Sequence, residues 1–209
     1  MIVIIDYGRG NLFSLSQALK TLNKPYLVTD NPDKILSASR LFLPGVGAFG
    51  DAMDRLKDRN LIEPIHSAVE NGIPLLGICV GCQILLEKSE EFGEHAGLGL
   101  IPGKTVRLPN IKHKSKSRVR IPNVGWRALS IKSHAPLLGC LNSDDWMYFV
   151  HSYAPSVKHS KNIAATTNIN GLDVPVAIQS RKILGVQFHP EKSGASGLKL
   201  IANFIEEEF

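Results

Sequence analysis

Three scarcities narrow the field before any motif is considered. The 209 residues hold only three cysteines, Cys79, Cys82 and Cys140. That number is odd and too small for a disulfide framework, which points to a reducing compartment. Long hydrophobic runs are missing too: nothing approaches the ~20 apolar residues of a membrane-crossing helix. The opening Met1-Ile2-Val3-Ile4-Ile5-Asp6 lacks the basic start and cleavage site of a secretory leader. A cytoplasmic protein with no membrane partner is therefore expected. Aromatic residues make up 7% of the chain, and none interrupts its strongest basic run, Lys112-His113-Lys114-Ser115-Lys116-Ser117-Arg118-Val119-Arg120. Without a stacking platform a nucleic-acid partner is not supported. The run reads first as a solvated loop, and after that as a docking surface for an acidic partner or an anionic substrate.

What remains is globular in composition, 44% hydrophobic and 21% charged, with a formal charge of +5. There is no repeat and no low-complexity linker, and one domain over residues 1–209 is expected. The first ninety residues alternate apolar strands with helical patterns. Strands are expected at residues 2–5, 26–28, 40–44 and 73–78, with helices at 12–22, from Asn31-Pro32, at 50–57 and at 61–70. Such alternation without hairpin signals predicts a doubly wound, mostly parallel α/β sheet flanked by helices, with its site at the C-terminal strand ends. Beyond Glu87 short β-rich segments follow, at 105–108, 119–121, 127–131, 147–150, 162–167, 174–179 and 183–187. They predict a mixed β region that returns to the sheet, with Asn170-Gly171 as a hairpin turn and a closing helix at 196–207.

The central stretch is Ile73-Pro-Leu-Leu-Gly77-Ile-Cys79-Val80-Gly81-Cys82-Gln83, a buried strand, a sharp turn and a helical pattern from Gly81 through Glu87. Gly77-x-Cys79-x-Gly81 has the form of a nucleophile elbow, with glycines where side chains would collide with strand or helix. Cys79 is expected to stand exposed at a helix start, whose positive end favours thiolate. A second signal is Gly185-Val-Gln-Phe-His189-Pro190-Glu191-Lys192-Ser193, which puts His189 and Glu191 two residues apart at a strand end. Cysteine, histidine and carboxylate make a nucleophilic triad, with His189 as base and Glu191 as its orienter. A third is Pro44-Gly45-Val46-Gly47-Ala48-Phe49-Gly50, between strand and helix. Its backbone N–H groups, with that of Val80, could hold an oxyanion.

Three patterns mislead. Gly45-x-Gly47-x-x-Gly50 spells a dinucleotide fingerprint, but Pro44 intrudes and no acidic residue ends the next strand at the required distance. Cys79-x-x-Cys82 suggests metal or redox chemistry. Zinc would need a second ligand pair, which one further cysteine and scattered histidines do not supply, so no metal site is expected, while a thiol–disulfide role stays open. Gly8-Arg9-Gly10 reads as a tight turn.

Taken together, Gly77-Ile-Cys79-Val-Gly-Cys-Gln83 and His189-Pro-Glu191 resemble the class I (triad) glutamine amidotransferases. Asp6-Tyr7-Gly8-Arg9-Gly10-Asn11, Pro44-Gly-Val46-Gly and Tyr148-Phe-Val-His151-Ser152-Tyr153 are similar to the glutaminase subunits of the histidine-pathway branch of that family. The resemblance implies hydrolysis of L-glutamine through a thioester on Cys79, without a cofactor. It further implies an oxyanion hole from the Gly45–Val46 peptide and Val80, and a substrate pocket from Gln83, Glu91, His151, Ser152 and Tyr153. Asn11, Trp126, Tyr148 and Lys192 would face a cyclase/synthase subunit in a heterodimer, which receives the ammonia. The chain departs from the usual Pro-His-x-Gly-Trp-Asn by carrying Pro122-Asn123-Val-Gly-Trp126-Arg127. Because that stretch is expected at the interface, a paralogue feeding another synthase such as a surface-sugar amidotransferase stays open, and Cys79-x-x-Cys82 separately leaves open a cysteine-based redox or binding module.

Overall fold

A computed structural model describes residues 1–108, 121–132, 135–142, 145–169 and 171–207. The basic run at 112–120, nearly all of the strand expected at 119–121, and Asn170 of the expected hairpin lie outside them.

The first half follows the alternation. In order come β1 (Ile2–Ile5), α1 (Leu12–Thr21), β2 (Tyr26–Thr29), α2 (Pro32–Leu36), β3 (Arg40–Gly45), α3 (Phe49–Asp58), α4 (Ile62–Glu70) and β4 (Leu75–Cys79). Local chemistry explains the boundaries. Asn31 accepts from the N–H groups of Asp33 and Lys34 and so caps α2, with Pro32 in its first turn. Asn11 caps α1 by accepting from the Ser14 N–H at 3.3 Å.

After Cys79 the expected helix fails to extend. It stops after one turn, α5 (Val80–Gln83), and Leu86–Ser89 is a strand, β5. Ile84, Leu85 and Leu86 are all fully buried, so the apolar pattern had no polar face by which to tell a helix from a strand. There follow β6 (His95–Ala96), β7 (Ile101–Arg107), β8 (Asn123–Ala128), β9 (Ser130–Ile131), β10 (Trp146–His151), β11 (Tyr153–Val157), β12 (Ile163–Ile169), β13 (Leu172–Ser180), β14 (Ile183–Val186) and α6 (Gly194–Glu206). The strand expected at 127–131 is thus split between β8 and β9, and β5, β6 and β11 were not anticipated.

The main sheet has the order β2-β1-β3-β4-β14-β13-β12-β9. Its first five strands run parallel, and β13, β12 and β9 add antiparallel. Every residue of β1, β4 and β14 is buried, as only strands covered on both faces can be. Part of that cover is α6, whose Phe204 meets Phe42 of β3 edge to face at 5.3 Å. The remaining strands form a β11-β7-β5-β6 sheet and a β8/β10 ribbon. Among the described residues no helix is long and apolar enough to cross a membrane.

Candidate active site

The site begins at the end of β4. Cys79 has φ +56° and ψ −111°, a conformation L residues adopt only under strain from their surroundings. Here the constraint is close packing. A Cβ on Gly81 would lie 1.8 Å from the Leu43 carbonyl oxygen, so the chain can turn against β3 only because none is there. The turn aims Cys79 into a cavity of about 340 Å³, of small-molecule size. Contrary to expectation the cysteine is not open to solvent: it is 6% exposed. The single turn of α5 also offers little of the dipole that a longer helix would bring.

Parallel register sets Gly45 of β3 directly beside Cys79. A Cβ on Gly45 would meet the Gly81 nitrogen and the Tyr7 hydroxyl, each at 2.6 Å. The Gly45–Val46 peptide is thus packed on the elbow, and Val46 and Val80 both line the cavity. The loop continues into α3, whose first N–H, from Phe49, donates to Glu91 at 2.8 Å. The Tyr7 hydroxyl is buried without a hydrogen-bond partner among the described residues, and burial first, then the nearby Cys79 and Asp51, push its pKa up. Ahead of this loop the Gly8-Arg9-Gly10 turn ties to α3 through an Arg9–Asp51 ion pair.

From the other side, β14 delivers residues 187–193. The Ser193 hydroxyl donates to the His189 carbonyl at 2.6 Å and accepts from the Tyr148 N–H at 3.0 Å, while the His189 N–H donates to the Tyr148 carbonyl at 2.9 Å. So anchored, the His189 Nδ1–H donates to Glu191 at 2.8 Å, and its Nε2 is buried with no hydrogen-bond partner among the described residues. Burial pulls the His189 pKa down, but the Cys79 sulfur and then the Glu191 carboxylate outweigh it, pushing the pKa up to about 9.

His151 is the opposite case. Burial dominates and lowers its pKa to about 4, against the hydrogen bond to the Tyr153 carbonyl. The two histidines set a stability optimum. His151 gives up its proton on folding, so stability is lost as pH falls below about 6.5, its unfolded value, toward about 4. His189 binds its proton more tightly when folded, so its contribution is complete below about 6.5 and lost as pH rises through about 9. The melting temperature should peak near pH 6.5. His151→Gln should flatten the acid limb and His189→Asn the alkaline one. Limbs that ignore both substitutions would refute this assignment.

The cavity is also lined by Gln83, Glu91, His151, Ser152, Tyr153 and Lys192. Gln83 donates from Nε2 to the Tyr153 carbonyl at 3.2 Å and to Gln187 at 3.0 Å. Trp126 and Tyr148 do not line the cavity themselves, but the Tyr148 ring lies 6.4 Å from that of His189, and Val150 on the same ribbon face does line it. Directly opposed on the ribbon, Trp126 and Tyr148 share its outer face with the exposed Val124, Trp146 and Val150 and meet edge to face at 5.9 Å. Alternation turns Asn123 and Arg127 the other way. Asn123 is 3% exposed and bonds His151 at 2.9 Å and Arg127 at 2.7 Å. Of the two altered residues Asn123 is buried and Arg127 half-buried, and they satisfy one another through this bond. Cys82, the redox candidate, is fully buried with its pKa raised by burial, and Cys79, Cys82 and Cys140 are all free thiols. Gln187 was missed. Its signal was an amide inside an apolar run, two residues before His189 and so on the same side of the strand.

A strained cysteine, a carboxylate-backed imidazole and adjacent backbone amides suit acyl transfer through a thioester. The family model of class-I glutamine amidotransferases matches residues 3–207. Among solved structures, a glutamine amidotransferase aligns with TM-score 0.73 and 19% identity over 99% of this chain and 98% of that one, a likeness of fold. More specific is the likeness to the imidazole glycerol phosphate synthase subunit HisH of Bacillus subtilis, 43% identical over 206 residues, 99% of this chain and 96% of that protein. The HisH subunit of Synechococcus elongatus is 44% identical over 207 residues, 99% and 93% of the two chains. The chain belongs to the class-I glutamine amidotransferases and, within them, to the family of HisH subunits.

Proposed function

We propose that the chain is a cytoplasmic, single-domain glutaminase subunit, residues 1–209, that pairs with a cyclase/synthase subunit to form an imidazole glycerol phosphate synthase. The observation that carries this reading is the meeting of Cys79, His189–Glu191 and the Gly45–Val46 peptide at one cavity in a chain similar to HisH subunits along its full length.

With its pKa raised to about 9, His189 holds the proton of the Cys79–His189 pair as the Cys79 sulfur attacks the side-chain carbonyl carbon of L-glutamine. The N–H groups of Val80 and of the Gly45–Val46 peptide hold the oxyanion. The C–N bond then breaks as His189 returns its proton to the leaving nitrogen, giving ammonia and a thioester. Water, deprotonated by His189, attacks the thioester; the C–S bond breaks, glutamate leaves and the thiol is restored. Glu191 keeps the imidazole oriented and balances its charge. Gln83 and Glu91, with the His151–Tyr153 backbone, hold the substrate. Both Gln83 N–H groups are engaged, so its Oε1 is the end left for a ligand donor such as the α-ammonium. Asn11, Trp126, Tyr148 and Lys192 face the partner, which takes the ammonia to form imidazole glycerol phosphate and an aminoimidazole carboxamide ribotide.

Glutamine hydrolysis by the purified chain should be slow alone and strongly stimulated by a histidine-pathway cyclase subunit together with its ribonucleotide. An absence of stimulation, with a thioester still trapped at Cys79, would keep the glutaminase and sink the choice of synthase.

A further inference from the structure

We propose that the side-chain amide of Gln187 is a catalytic donor to the Cys79 sulfur, held in the donating orientation by Gln83, which is itself oriented by the Tyr153 carbonyl. Gln187 is fully buried, and its Nε2 lies 3.7 Å from the sulfur. An amide has two ends of nearly equal shape, so its orientation follows from its partners. The fixed point is the Tyr153 carbonyl, which can only accept. Gln83 must therefore turn its amino end toward it, at 3.2 Å, and gives its second N–H to the Gln187 Oε1 at 3.0 Å. With Oε1 so occupied, Gln187 has only its amino end to offer the sulfur.

The same carbonyl lies 2.8 Å from His151 Nδ1, which must carry the proton. His151 Nε2 then accepts from Asn123 at 2.9 Å, and Asn123 Oδ1 accepts from the Arg127 Nε–H at 2.7 Å. Every group from Arg127 to Gln187 has one consistent assignment. A donor aimed at sulfur favours thiolate over thiol, a bias that a one-turn helix supplies poorly.

The proposal rests on Cys79 being the nucleophile, and its test needs neither glutamine nor partner. The full chain is labelled with iodoacetamide, and the Cys79 peptide is followed by mass spectrometry apart from Cys82 and Cys140. The readout is the ratio of labelling rates near pH 7 and near pH 10, which cancels access and isolates ionisation. Gln187→Met should lower that ratio about tenfold, and Gln187→Glu further, since a carboxylate would then face the sulfur. Gln83→Met, which leaves Gln187 in place but frees its amide to turn over, should lower it by less. An unchanged ratio in folded Gln187→Met overturns the proposal, as does an unchanged ratio in Gln83→Met where Gln187→Met does not fold. A Cys79 that is inert in the unaltered chain would instead overturn the nucleophile itself.

Discussion

His189→Asn should lower glutamine turnover, measured with partner and ribonucleotide present, by about five to six orders of magnitude, because a nucleophile and its base act as a unit. The imidazole serves twice in the proposed cycle. It holds the proton that the attacking sulfur must lack, and it delivers that proton to a nitrogen that would otherwise leave as an amide anion. Asparagine does neither. Glu191→Gln should cost less, roughly 10² to 10⁴-fold. A glutamine carbonyl can still accept the Nδ1–H now held at 2.8 Å, yet it no longer balances the imidazolium charge. That charge balance contributes to the raised His189 pKa, so the pH optimum of the Glu191 variant should also move down. Equal losses in the two variants would count against the division of roles.

The proposed nucleophile, its proposed base and the neighbouring loop were legible in the sequence because each sits where a regular element ends. Cys79 closes β4, Gly45 closes β3, and His189 follows β14, positions that periodicity and turn residues mark well. Parallel pairing then brought Gly45 beside Cys79 without any further information. What failed were elements held by partners rather than by propensity. β8 contains Gly125 at φ +128° and β11 contains Pro155, yet cross-strand pairing keeps both as strands. β5 reads Leu-Glu-Lys-Ser, with nothing strand-like about it until β7 and β6 flank it. The role proposed for Gln187 was illegible for a related reason. Its meaning lies in a carbonyl contributed by Tyr153 and an amide contributed by Gln83, neither near it in sequence.

The same dependence on distant partners governs the residues that depart from the family pattern. Asn123 and Arg127 are four residues apart in one strand and so lie on one side of it. The outer side, carrying Val124 and Trp126, is untouched by that pair. The departure read on the linear motif includes a buried residue, Asn123, which with the Tyr153 carbonyl leaves His151 bonded on both nitrogens.

Gly81→Ala should be the most damaging single methyl in the molecule. The added carbon would lie 1.8 Å from the Leu43 carbonyl oxygen and 2.9 Å from its carbon, both backbone atoms of a buried central strand that cannot swing aside. Relief requires the elbow to retreat from β3, which pulls the Cys79 turn away from Gly45, itself set against the Gly81 nitrogen. Overpacking of this kind costs about 3 kcal/mol, which for a chain of this size lowers the melting temperature by roughly 6–12 °C. Whatever folds should turn over glutamine at least about a hundredfold more slowly, since displacements near 1 Å are enough for that when reacting groups must align. Gly99→Ala is the matched control. Gly99 has φ +64° but nothing within 4 Å of the added carbon, so its cost should be backbone strain alone, about 1 kcal/mol, with turnover intact. If the two variants behaved alike, the close approach of elbow and β3 could not be what holds Cys79 in its strained turn.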